Sequence, residues 1–287
     1  MIDCEHQNWT VHLKGAKDIC CVLNIPLDEA RDPTDNESPV RCFLASLLLY
    51  LDAAGASAAS DGTIVTTTYW ALDGLWWDDH TSATTWPSSC PSGSTSEETH
   101  FLTELRKSWW PMLRIQMSVS EFGKAKKGMM SIEEQDRTYK ALIDRLLEWR
   151  RNAPEPLQQL CQVDRENVQQ YKYPELIEQA SYVEVFEMAT RLYLHRIVAA
   201  DRPARDTDNV LEERFVWRIL FLVERFTAGV KQLALVWALF VAGQGAQHPN
   251  QQKFVRERLQ ALQPYGLKVC NPERLSRSEL LEINSWI

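Results

Sequence analysis

The chain has few glycines, 11 in 287 residues, which disfavours a turn-rich β architecture. It has no C-x-x-C pair. Its seven cysteines stand at 4, 20, 21, 42, 90, 161 and 270, a scatter from which neither a zinc ribbon nor a zinc cluster can be built locally. The start, MIDCEHQNWT, has no basic stretch followed by an apolar one, so it does not read as a secretory signal. No H-E-x-x-H, G-x-S-x-G or Walker pattern occurs. A surplus of positive charge is also missing. The net charge is −8, and non-specific binding to nucleic acid needs a Lys/Arg surplus to neutralise phosphate. Direct DNA binding is therefore not expected of this chain alone; another segment or a partner must supply it.

What remains is ordinary globular composition with a long stretch of helix signals. Asn8 is a suitable N-cap, and Trp9, Leu13, Ala16, Cys20 and Leu23 follow at helical spacing up to Pro26. Ser38-Pro39 opens a second helix, with Val40, Phe43, Leu44, Leu47, Leu48 and Leu51 as its apolar stripe. Residues 55–100 are rich in Ala, Ser, Thr, Gly and Pro and read as a long flexible loop or insertion. TIVTTTY (63–69) has strand-like β-branched content without an obvious partner. Helix signals return at Glu97, and Pro111 should kink or end that helix. GKAKKG (123–128) reads as a basic turn.

The spacing predicts an amphipathic helix over 133–151 with Tyr139, Leu142, Ile143, Leu146 and Leu147 on one side, stopped by APEP (153–156). Pro174 opens a long helix through Ala199, with Ile177, Ala180, Val183, Phe186, Ala189, Tyr193 and Ile197 along one face, ended by Pro203. Residues 209–243 read as one or two helices. The first carries Val210, Phe215, Ile219, Leu222 and Phe226. The second is the run LALVWALFVAG (233–243), apolar on every side and too short to cross about 30 Å of hydrocarbon. It reads as a buried core helix. Gly243-Gln244-Gly245 follows no strand and precedes no Lys-Ser/Thr, so these glycines are expected to end the helix and turn the chain. Phe254, Val255, Leu259 and Leu262 make the next amphipathic helix.

Four stretches in this order resemble the fungal-specific transcription factor domain, the regulatory region found downstream of zinc binuclear clusters. VWALFVAGQGAQHPNQQKFVRERLQAL is similar to the family's C-terminal signature. Trp237, Phe240, Ala242, Gly243 and Ala246 match it; Ala238 stands where the family has Pro and Gly245 where it has Glu. WTVHLKGAKDI (9–19), FLASLLLYLDAAGASA (43–58) and VFEMATRLYLHRIV (185–198) resemble its upstream helices. The resemblance implies one all-α regulatory domain over residues 1–287, in a nuclear protein that is not an enzyme. In the family, the zinc cluster and several helices precede the Trp-x-x-His-Leu motif. Here that motif begins at residue 9, which implies a domain truncated at its N-terminus and without a DNA reader. Protein partners or self-association are expected, with no membrane and no cofactor; an effector ligand is left open.

Chemistry has simpler readings. Asp78-Asp79-His80 resembles the paired carboxylates that hold Mg²⁺ in helical terpene synthases, which gives a less favoured enzyme reading through Asp78 and Asp79. The third acid and the second metal motif are missing, and a solvated loop explains the pair. Cys4, His6 and His12 lie before or at the start of a helix, where incidental spacing suffices. Cys20 and Cys21 read as core cysteines and His12 as a packed histidine. Trp70, Trp76, Trp77, Trp109, Tyr193 and Trp237 can line a pocket or fill a core, and core is favoured. No catalytic, cofactor or metal residue is assigned. A stand-alone helical adaptor is the other reading.

Overall fold

The computed structural model describes residues 15, 18, 52, 96–128, 130–160, 174–200, 206–226 and 235–262. Among these there are seven helices and no strand: α1 (Ser96–Lys127), α2 (Ile132–Arg151), α3 (Glu155–Leu160), α4 (Pro174–Ala199), α5 (Asp206–Val223), α6 (Val236–Gly245) and α7 (Pro249–Ala261). The all-α expectation holds. Of the first two expected helices only Gly15, Asp18 and Asp52 are described; all three are helical, and Asp52 is fully buried. The loop expected over 55–100 ends earlier than expected, because residues 96–100 already belong to the first turns of α1; TIVTTTY and the rest of 55–95 lie outside the described residues.

α1 continues past Pro111 to Lys127, so Pro111 does not end it. The proline removes one backbone bond, to the carbonyl of Lys107. Both residues are exposed, so water can satisfy that carbonyl. Meanwhile Trp109, Met112 and Leu113 anchor the helix in the core. GKAKKG is not a free turn either. Lys124, Lys126 and Lys127 form the last turn of α1, where positive charge suits the carbonyl end of the helix dipole. The Lys126 ammonium donates to the carbonyl of Ile197, one of the last in α4.

Ser131 caps α2 by accepting from the Glu134 N–H at 3.2 Å. Leu142, Leu146 and Trp149 are its buried residues. Leu147, expected on the same side, is 45% exposed; Trp149 points inward instead, and its indole N–H donates to the carbonyl of Ser108 at 2.9 Å. That bond and Arg145 Nη1 to Ser118 Oγ at 3.0 Å tie α2 to α1.

α4 is the axis of the bundle and packs against α1, α2, α3, α5 and α6. The single apolar face expected for it is therefore only part of the truth. Tyr182, Val185, Leu192 and Leu194 are buried as well, together with Ser181, Glu184, Glu187 and Thr190. Ser181 and Thr190 donate their hydroxyls to the carbonyls of Ile177 and Phe186, at 2.7 and 2.8 Å, so their burial leaves no donor unmet.

α6 confirms the short buried helix: Trp237, Ala238, Leu239, Val241, Ala242, Gly243 and Gly245 are all buried. The helix ends at Gly245, as expected, with the Ala246 N–H donating to the Gly243 carbonyl at 3.3 Å, but both glycines are helical and also serve as contact points. A methyl at Gly243 would lie 3.0 Å from Val255 Cγ1 of α7, and one at Gly245 would lie 2.9 Å from Val216 Cγ2 of α5. They are glycine because neighbouring helices come too close for a side chain. Pro249 at the start of α7 and the His248 N–H, which donates to Gln251 Oε1 at 3.3 Å, set the new direction.

Candidate functional site

The aromatic residues weighed above as pocket or core are core where described. Phe186 of α4 takes the edge of Trp109 at 4.5 Å on one side and stacks with Trp237 at 5.5 Å on another; Tyr193 meets Trp237 edge-on at 6.4 Å. Burial holds the Tyr193 hydroxyl neutral, with its pKa pushed up to about 12. Trp70, Trp76, Trp77, Asp78, Asp79, His80, Cys4, His6, His12, Cys20 and Cys21 lie outside the described residues. Among the described residues, no three His, Cys, Asp or Glu side chains gather as metal ligands, and no helix is long and apolar enough to cross a membrane.

Charge inside the bundle is concentrated on α4. Glu184 and Glu187, both almost fully buried, receive arginines from three helices. Arg150 of α2 reaches Glu187 at 2.9 Å and Glu184 at 3.6 Å. Arg191, one turn along α4, meets Glu187 at 2.8 Å. Arg218 of α5 donates to Glu184 at 2.7 Å and to the carbonyl of Leu160 in α3 at 2.8 Å. Burial raises the Glu187 pKa above its usual value, and the Arg150 and Arg191 charges pull against that rise. The network ties four helices together.

A second polar cluster joins α4, α5 and α6. Arg196 donates to Gln244 Oε1 at 2.9 Å. Burial lowers its pKa, and the nearby Glu212 opposes that. His195 lies 3.9 Å from the same Glu212.

The outward face of α5 differs from both. Val210 was expected on the stripe of Phe215, Ile219, Leu222 and Phe226, yet it is 59% exposed. Five residues of helix rotate Val210 about 140° from Phe215, so it shares the solvent side with Trp217, itself 55% exposed. The Trp217 ring lies flat on Phe221, centroids 5.2 Å apart and planes 6° from parallel. The guanidinium groups of Arg225 and Arg218 stand 4.5 and 5.3 Å from the Phe221 centroid, within cation–π range. Arg218 thus links the buried acids to this face. Glu213, also on it, meets His248 at 3.0 Å. An exposed tryptophan on an aromatic and arginine base suits protein contact: Trp and Arg dominate the energetics of such surfaces. The azimuth of Trp217, opposite Ile219, was the available sequence signal.

The family model of the fungal specific transcription factor domain matches residues 1–272. No curated protein and no solved structure matches the chain.

Proposed function

The chain belongs to the fungal specific transcription factor domain family, a family of transcription regulation, and from that premise we propose that it acts in the nucleus as a regulatory region working through protein contacts. The observation that carries the reading is the match across residues 1–272. Two features support the mode of action. The net charge of −8 argues against a direct grip on DNA phosphates. The outward face of α5, with Val210 and Trp217 exposed, offers apolar area of the kind that partners bury. On this reading the protein performs no catalysis, and its charged clusters hold helices together.

The test is a tethered reporter. The full chain is fused to an unrelated DNA-binding module in a fungal cell and reporter transcription is measured. A change of several-fold in either direction, reduced by Trp217→Ala, is expected. A reporter indifferent to the tethered chain would overturn the proposal.

A further inference from the structure

The exposed face of α5 carries Val210, Glu213, Arg214 and Trp217. At 100° per residue, Val210 and Trp217 fall within about 20° of each other, Glu213 about 40° to one side of Trp217 and Arg214 about 60° to the other. The face is an apolar seam with an acid along one edge and a base along the opposite edge. Arg214 makes no hydrogen bond or ion pair with any described residue, while Glu213 shares an exposed pair with His248, their side chains 48% and 61% accessible.

This pattern is complementary to itself in one orientation only. If two copies meet antiparallel, the two-fold axis is perpendicular to the helices and sets like edges together, Glu213 on Glu213 and Arg214 on Arg214. If they meet parallel, the axis runs along the helices and sets opposite edges together. Each Glu213 then faces the other copy's Arg214, at heights about 1.5 Å apart, and Trp217 and Val210 each meet their own counterpart on the seam. We propose that the partner of this face is a second copy of the chain, docked with the two α5 helices parallel. The proposal deepens the protein-contact reading above and rests on it. Such a contact is isologous. With two apolar side chains per copy on the seam it is a small one, so the association is reversible and concentration-dependent.

Sedimentation equilibrium of the full chain, from micromolar to submillimolar concentration at low salt, tests it. A monomer–dimer equilibrium that weakens with added salt is expected. Glu213→Arg and Arg214→Glu should each weaken the dimer about tenfold, and the double reversal E213R/R214E should restore it to within about threefold. Trp217→Ala should weaken it at least as much as either reversal. These side chains are exposed, so circular dichroism should show every variant folded. A monomer at all concentrations overturns the proposal. So does a dimer that ignores the single reversals, or a double reversal no better than the singles. A monomeric chain that still drives the tethered reporter removes the dimer and leaves the transcriptional reading standing; a dimeric chain with a silent reporter does the reverse.

Discussion

α4 and α6 are both buried on nearly every side, yet only one of them looks so in sequence. α6 is VWALFVAGQG, apolar in every direction, and nothing but a core can take it. α4 is PELIEQASYVEVFEMATRLYLHRIVA, in which glutamates and two arginines interrupt the apolar residues as though one side faced water. Instead Glu184 and Glu187 turn inward to arginines from α2, α4 and α5. A short apolar helix is buried for its own reasons. A charged helix is buried only because distant parts of the chain supply the opposite charge.

The comparison breaks most readily at Glu187. Replacing it with Ala removes the acceptor of both Arg150 and Arg191, and the loss should be about 3–5 kcal/mol, as for other broken buried pairs. Urea unfolding measures this; a loss under about 1 kcal/mol would mean water already solvates the network. Making α4 resemble α6 sharpens the point. Glu187→Leu combined with Arg150→Met and Arg191→Leu should cost far less than Glu187→Ala alone, because an apolar trio needs no counter-charges.

Gly245→Ala comes next. Its new methyl would meet Val216 at 2.9 Å, so overpacking should cost about 1–3 kcal/mol. Val216→Ala in the same chain should recover part of that cost, as read by the midpoint of thermal unfolding, and the absence of any recovery would place the strain elsewhere.

A pH profile separates charge from packing. The pKa of Glu187 is raised in the folded chain, so its contribution is fully present below the unfolded value of 4.5 and is lost as pH rises through the higher folded value. Relative to Glu187→Gln, the wild-type chain should therefore lose stability as pH climbs from about 4.5 towards neutrality. A flat difference between the two would show that the arginines fully offset burial. The smallest effect is expected at the surface: Trp217→Ala should change stability by no more than about 0.5 kcal/mol. A larger loss would make Trp217 part of the core rather than a contact residue.

Much of the fold was legible because helices announce their limits locally. Pro174 starts a helix where its ring permits, and the apolar spacing of α2 and α7 points to Leu142, Leu146 and Val255, which are buried. The candidate site was less legible. Val210 is apolar and shares the spacing of the apolar stripe only loosely, its azimuth setting it apart, and Trp217 has no partner in sequence that marks it as a contact residue.

By itself, then, the sequence determined the all-α class of the described residues, the approximate span of most described helices and the burial of α6. Those depend on backbone geometry, capping and apolar spacing within one segment. Tertiary structure alone decided that Pro111 is tolerated on a solvent-facing turn, that Gly243 and Gly245 are close contact points as well as the end of a helix, that α4 buries its glutamates, and that Val210 and Trp217 face outward. Each depends on which atoms of another helix stand opposite. Periodicity states which residues share a face, but not what that face meets.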